Sequence, residues 1–390
     1  MASPSYVRVL EDLNQITAEG DSHARTITLN RPSKLNAMGY QMIVQLTDEL
    51  LALEKKPNFK ILIVKGKGRA FSAGGDNSGI WWCMTEGDWS FGSYYYKKYV
   101  TLNHIMSTFK LPSVFISNGI VMGAGAGFYM NGRFRVATEN TVFAMPETQI
   151  GLFPDAGASY FLSRLPGLFG EYIGLTGTRL DGSEMVACGL ATHYVSSKNL
   201  RKLEESLNKI DTDDPSIIDK IISQHEENPS LREGCSLLNY HRSDTIDKCF
   251  SKGSVEEIIA SLEQEFAVDP KDWIASAIKT MKRASPANLK IFLRSIRQGR
   301  NQTYEECIQR EYIMFSHAMR RTITGDVFEG VAAKLIDKNV SPKWDPLSLG
   351  QVTNKMVEKC FCEIKDDDWP HLNLPSRSNS IATTLLPSRL

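Results

Sequence analysis

The stretch Ser113-Val-Phe-Ile-Ser-Asn-Gly-Ile-Val-Met-Gly-Ala-Gly-Ala-Gly127 sets the architecture of the first half of the chain. Its first five residues form a short, continuous apolar run, the pattern of a strand covered on both faces. Gly123 to Gly127 then make a glycine-rich turn that runs into a short helical stretch. The same order occurs upstream, where Lys60-Ile-Leu-Ile-Val64 precedes the loop Ala70-Phe-Ser-Ala-Gly-Gly-Asp76. Residues 25–30 alternate as a strand that Arg31-Pro32 stops, and 42–55 form an amphipathic helix with Leu46, Leu50 and Leu53 on one face. Residues 94–109 and 155–165 read as helices, and 134–137 and 141–144 as strands. Strand and helix alternate to about residue 195, which predicts an α/β core over 1–195 with mostly parallel pairing.

Beyond that point convincing strands disappear. Segments around 198–210, 214–225, 254–266, 271–282, 286–298, 302–323 and 327–337 favour helix, giving a helical C-terminal region over 196–365. Residues 366–390 are rich in Ser, Pro and Asn and read as a disordered tail. The tail carries Ser388-Arg389-Leu390, a conservative variant of the Ser-Lys-Leu peroxisomal address. The expectation is a peroxisomal protein, with an import receptor as partner.

Composition narrows the function. The 390 residues balance 45 basic against 45 acidic side chains, without the basic excess of a nucleic-acid binder. No apolar run approaches the ~20 residues that cross a bilayer, so a membrane span is not expected. The 7 cysteines are scattered without a CxxC pair, suggesting neither a disulfide framework nor a zinc site, and a reducing compartment. Glu11, Asp12, Glu19 and Asp21 speak against a mitochondrial transit peptide.

Two nearby patterns fail on inspection. A dinucleotide fingerprint starting at Gly123 would need glycine where Phe128 stands. A serine nucleophile elbow at Ser72 would need glycine where Ala70 stands. A strand followed by a glycine-rich turn into a helix does, however, expose backbone N–H groups. Two such turns from adjacent strands can aim two donors at one carbonyl oxygen, an oxyanion hole. Downstream come Glu147 and Asp155, set among Phe143, Met145, Ile150, Leu152 and Phe153. Carboxyl groups in such surroundings are desolvated, their pKa rises, and they suit proton transfer or nucleophilic attack. On spacing alone, a capping role for Glu147 beside Pro146 and an N-cap role for Asp155 account for them equally well.

Longer strings add to this. Gly119-Ile-Val-Met-Gly-Ala-Gly-Ala-Gly-Phe128 and Arg133-Phe-Arg-Val-Ala-Thr-Glu-Asn-Thr-Val-Phe-Ala-Met-Pro-Glu-Thr-Gln-Ile-Gly-Leu-Phe-Pro-Asp155 strongly resemble the 3-hydroxyisobutyryl-CoA hydrolase family of the crotonase superfamily. The likeness runs from about residue 5 to 350 and includes Arg69-Ala-Phe-Ser-Ala-Gly-Gly-Asp76 and Ser285-Pro286. It implies a crotonase-like ββα spiral with a helical C-terminal region. It also implies hydrolysis of 3-hydroxyisobutyryl-CoA, or a close short-chain acyl-CoA, to the free acid and CoA, as in valine catabolism. No metal and no cofactor beyond the CoA of the substrate is implied. Gly75 and Ala124 match the oxyanion-hole donors, Glu147 the catalytic Glu, and Asp155 the second acid of the hydrolases. Ala73 lies on the stretch that would receive the adenine. Hydratases of the superfamily carry a further Glu where this chain has Gly127, which disfavours the alternative of an enoyl-CoA hydratase or isomerase. A family Glu that contacts substrate aligns with Tyr99, and the middle of a Gly triplet is Ala124. These two departures leave a catalytically silent CoA-binding protein as a further alternative. Lys65, Lys67 and Arg69 are candidates for CoA phosphates, and Trp81-Trp82 for covering the pantetheine channel or packing a helix; His193 reads as structural.

Overall fold

The chain weaves between two sheets. The computed structural model describes residues 14–20, 22–85, 89–227, 240–337, 340–366 and 369–377. In chain order the strands are β1 (Ile16–Glu19), β2 (Ala24–Leu29), β3 (Ile61–Gly66), β4 (Ala70–Ser72), β5 (Ser113–Ser117), β6 (Ile120–Met122), β7 (Phe134–Ala137), β8 (Val142–Ala144), β9 (Leu180–Asp181) and β10 (His193–Tyr194). The larger sheet runs β1-β2-β3-β5-β7-β10 and the smaller β4-β6-β8-β9. β1 with β2 and β8 with β9 are antiparallel; the other neighbours are parallel. Three times a strand of the large sheet (β3, β5, β7) is followed at once by one of the small sheet (β4, β6, β8), then by helix. That is the expected α/β spiral of ββα turns. Ala70–Ser72, read from sequence as loop, is the first strand of the small sheet.

The central strands β3, β5 and β7 bury both faces over most of their length, which is why β3 and β5 read as apolar runs. On one side Ile61, Ile63 and Val114 pack with Leu203, Ile218 and Ile222. On the other, Phe71, Phe115 and Phe128 join a core that also holds Phe292, Tyr312 and Phe315 of the C-terminal helices. The helical region therefore shares one core with the sheets. Its helices include Leu200–Leu207, Pro215–Ser223, Val255–Val268, Asp272–Arg283, Pro286–Gly299 and Tyr304–Met319. Two more, Tyr240–Phe250 and Asn354–Lys359, carry no clear signal in the sequence. No helix among the described residues is long and apolar enough to cross a membrane.

Two expectations need correction. The helix read over 155–165 shrinks to one turn, Ala158–Phe161, followed by the 3-10 turn Leu162–Arg164. Ala156 and Gly157 stand at φ 61° and 86°, left-handed, so no helix can start there. In the tail read as disordered from 366, the described residues 369–377 pack on the core. Trp369 is buried, stacks on Tyr312 at 5.3 Å and donates its Nε1–H to Ser316 Oγ at 3.1 Å. Pro375 O meets His104 Nε2 at 3.0 Å, and Arg377 pairs with Glu54. A single large aromatic outweighs a polar composition here. Ser388-Arg389-Leu390 lies outside the described residues.

Candidate active site

The parallel register of the small sheet assembles the site. β4, β6 and β8 lie side by side, Val121 opposite Ser72 and Met122 opposite Ala144. Their carboxyl ends therefore release three segments at one edge: Ala73-Gly74-Gly75, Gly123-Ala124 and Pro146-Glu147. That edge is where parallel α/β sheets hold their ligands. A cavity of about 290 Å³ opens there, and Ala73, Gly75, Tyr99, Ala124, Glu147 and Asp155 all line it. The residues singled out from sequence thus meet at one place, 82 positions apart at the extremes (155 − 73).

Each donor is turned by a defined hydrogen bond. Met38 N–H donates to Gly74 O at 2.8 Å, and Asp76 N–H donates to Met38 O at 3.2 Å. In such a parallel bridge the N–H of the residue between them, Gly75, faces the opposite side. An ion pair of Asp76 with Arg31 at 2.6 Å and a bond from Gly79 N–H at 3.1 Å fix this loop. Ala124 opens the helix Ala124–Tyr129, so its N–H has no acceptor within that helix. The two turns touch: a Cβ on Gly74 would lie 3.8 Å from Ala124 N. Gly123 between them has φ 52°, and a Cβ there would come within 2.7 Å of Glu147 Oε1. Only glycine allows the Glu147 carboxylate to sit against the turn that carries the second donor.

Neither carboxylate is a cap. Glu147 begins the 3-10 turn Glu147–Ile150, whose start has no side-chain cap, and its Oε2 is buried without a hydrogen-bond partner among the described residues. Asp155 precedes the cap position held by Gly157, again without a side-chain bond. Both are almost fully buried, 5% and 4% exposed. Burial first, then the charge of Asp155 and more weakly Glu311, pushes Glu147 well above the usual carboxylate range. Burial, then the charge of Glu311, pushes Asp155 up to about 7, against a hydrogen bond from Tyr96. The pair shares a proton near neutrality, and Glu147 can act as base or nucleophile once that proton sits on Asp155.

Several contributors were not apparent in the sequence. Tyr95 donates to Met38 O at 2.6 Å, and Tyr96 accepts the N–H of Ala156 at 3.0 Å while stacking on Phe315 at 4.0 Å. Phe315 and Leu335 bring the helical region into the cavity wall, so the site is not confined to residues 1–195. The Tyr triplet at 94–96 and the apolar-face position of Phe315 were the available signals. Tyr99 lines the cavity, but its hydroxyl donates to Ala124 O at 2.5 Å. The N–H of Ala73 donates to Leu35 O at 3.0 Å, which holds this residue at the cavity wall.

Other candidates fall away from the site. Lys65 pairs with Glu204 at 2.5 Å. Trp81 donates to Phe328 O at 3.0 Å, joining its helix to Asp326–Val331. His193 is buried in β10, its Nε2 3.3 Å from Asp219. Among the described residues no group of three His, Cys, Asp or Glu side chains is placed to hold a metal ion.

Comparison with known proteins gives the family. Residues 24–361 match the enoyl-CoA hydratase/isomerase family. The 3-hydroxyisobutyryl-CoA hydrolase 1 of Arabidopsis thaliana is 49% identical over 366 residues, 94% of this chain and 96% of that protein. The small ribosomal subunit protein mS47 of the same plant is 39% identical over 378 residues, 96% of this chain and 92% of that protein. Among solved structures, a carnitinyl-CoA dehydratase from Mycobacterium thermoresistibile superposes with a TM-score of 0.82 at 29% identity, covering 92% of this chain and 98% of that one.

Proposed function

The chain belongs to the enoyl-CoA hydratase/isomerase family, and from that premise we infer that it hydrolyses the thioester of 3-hydroxyisobutyryl-CoA to the free acid and CoA. The observation that carries this reading is the burial of Glu147 and Asp155 on one cavity wall, beside two backbone turns that present N–H donors. In the proposed cycle the thioester oxygen enters the Gly75 and Ala124 donors, which stabilise the charge that develops on it. The Glu147 carboxylate packs against Gly123, next to that oxygen, and attacks the carbonyl carbon. The C–S bond breaks, the sulfur leaves with the proton of Asp155, and an acyl anhydride on Glu147 remains. Water then adds to the anhydride, giving its proton back to Asp155 and restoring Glu147.

The hydratase alternative meets a steric bar. A Cβ on Gly127 would lie 2.3 Å from Ala156 O and 2.5 Å from Ala156 Cβ, so the acid of the hydratases has no room there. A role in valine breakdown follows from the proposed substrate. We propose that Ser388-Arg389-Leu390 directs the protein to peroxisomes through an import receptor.

The test is thiol release across a panel of short acyl-CoAs, with hydration of crotonyl-CoA measured alongside. Hydrolysis greatest on 3-hydroxyisobutyryl-CoA supports the reading. CoA binding without thiol release from any member replaces it with the silent alternative.

A further inference from the structure

We propose that Glu311 is a positioning residue for this hydrolysis: it clamps the turn that presents Asp155 and places a buried negative charge behind the catalytic pair. The proposal rests on the reading of Glu147 and Asp155 as that pair. Glu311 lies on the helix Tyr304–Met319, wholly buried and far from Glu147 and Asp155 in sequence. Its carboxylate accepts the N–H of Gly157 at 2.6 Å, the N–H of Ser159 at 3.0 Å and the hydroxyl of Ser159 at 2.6 Å. These donors begin two residues after Asp155, in a backbone where Ala156 is left-handed without being glycine. Such a turn persists only where its surroundings hold it. Glu311 supplies three of the bonds that do so, and Tyr96 supplies another from the opposite side through Ala156 N–H. Arg310 ties the assembly down by donating to Ser159 Oγ at 2.8 Å and Ser295 O at 3.0 Å.

The charge has its own consequence. Holding this turn takes two acceptor oxygens, Oε2 for Gly157 and Oε1 for Ser159, which a carboxylate offers and an amide does not. A carboxylate does more, because like charges favour the protonated form of their neighbours. The groups that face Asp155 are Glu147 from the 3-10 turn, Tyr95, Tyr96 and Tyr99 from the helix Trp89–Ser107, and Glu311, whose own carboxyl is pushed up by burial, against the hydrogen bonds from Ser159 and Gly157 and the charge of Arg310. After burial itself, Glu311 is the largest influence keeping a proton on Asp155. That proton is the one the leaving sulfur takes.

The experiment compares the full-length Glu311→Gln and Glu311→Asp proteins with wild type, folding checked by circular dichroism, and follows kcat and KM against pH. Glu311→Gln keeps one of the two acceptor oxygens, turns an NH2 toward the other donor, and loses the charge, whose own signature is the movement of the pH limb. It is expected to lower kcat several-fold with KM little changed, and to move the alkaline limb of kcat to lower pH by about one unit. Glu311→Asp keeps the charge but withdraws the acceptor, so kcat falls while the limb stays in place. This second variant decides the matter if the first does not fold. A folded Glu311→Gln enzyme with wild-type kcat and an unmoved limb, or a Glu311→Asp enzyme with wild-type kcat, overturns the proposal. Asp155→Asn, run in parallel, separates the layers: if it is inactive, such a result removes only the role of Glu311, whereas an active Asp155→Asn removes the catalytic reading beneath it.

Discussion

The hydroxyl of Tyr99 donates to the carbonyl oxygen of Ala124 at 2.5 Å, binding the long helix Trp89–Ser107 to the very turn whose N–H faces the cavity. Tyr99 stands where the resemblance places a substrate-contacting carboxylate, and the structure commits its donor to the backbone instead. The bond fixes the Ala124–Gly125 peptide unit, next to the Gly123–Ala124 unit that carries the donor, and so steadies the start of the helix from which the Ala124 N–H projects.

Tyr99→Phe should therefore weaken catalysis rather than alter substrate choice. Losing one buried hydrogen bond costs about 1–3 kcal/mol, roughly five- to a hundred-fold in rate if it is expressed in the transition state. The drop in kcat should be similar on 3-hydroxyisobutyryl-CoA and on acyl-CoAs without a hydroxyl. A loss confined to the hydroxylated substrate would return the Tyr99 oxygen to substrate contact.

Glu147→Gln and Asp155→Asn test the pair directly. Neither carboxylate serves as a cap, so both proteins should fold. Removing a group that acts in proton transfer typically costs about 10²–10⁴ in rate. Stopped-flow thiol release should show a loss in that range for each. With Asp155→Asn, a small burst of thiol without turnover would place its main task in hydrolysis of the anhydride. Near wild-type turnover in either protein would remove that residue from the mechanism.

Much of this was legible because it is local. The runs at 60–64 and 113–117 mark buried strands ahead of the two glycine turns, and the apolar residues around Glu147 and Asp155 mark desolvated acids. What the sequence concealed depends on distance. Glu311 meets Gly157 across 154 positions, and nothing around Asp155 announces it. Its one trace is a charge in line with Cys307 and Phe315, four residues to either side, on the buried face of the helix. The helix expected after Asp155 failed for a related reason: Ala156 adopts a left-handed conformation that alanine does not choose locally, and Glu311 and Tyr96 impose it.

The buried pair should also shape stability against pH. Asp155 titrates near 7 in the folded protein and at its ordinary 3.8 when exposed. Between these values the folded state binds more protons than the unfolded state, so its stability falls as pH rises through the window. Below the window both states are protonated and no penalty applies. Urea unfolding of wild type and Asp155→Asn at about pH 4 and about pH 8 should show the variant gaining relative to wild type at the higher pH. A constant difference between the two proteins would mean that Asp155 is not perturbed in solution.

Installing the hydratase acid should fail. A Cβ at Gly127 meets Ala156 O at 2.3 Å and the Tyr99 oxygen at 2.9 Å. Overpacking of this kind costs about 1–3 kcal/mol or more, and it falls on the turn that carries Asp155. Gly127→Ala should lower both Tm and thiol release, and Gly127→Glu should lower them further without creating crotonyl-CoA hydration. Appearance of hydratase activity in Gly127→Glu would show that this backbone relaxes where the packing says it cannot.

The C-terminal segment should divide into two functions when it is shortened in steps. Trp369 stacks on Tyr312, and Tyr312 lies parallel to Tyr96 at 6.4 Å, the residue that accepts the Ala156 N–H beside Asp155. Removing everything after Asp366 strips a buried indole from this stack and exposes Tyr312, a loss of about 3–5 kcal/mol by analogy with large-to-small core changes. Tm should fall by several degrees, and kcat should fall with it because Tyr96 loses its backing. Deleting only Ser388-Arg389-Leu390 touches none of these contacts, so Tm and kcat should match wild type while the protein stays in the cytosol instead of entering peroxisomes. The comparison is made on purified proteins for stability and turnover, and by imaging tagged forms, with the tag at the N-terminus, for location. A truncation after Asp366 with unchanged Tm would detach the segment from the core, and a tripeptide deletion still found in peroxisomes would make that sequence incidental.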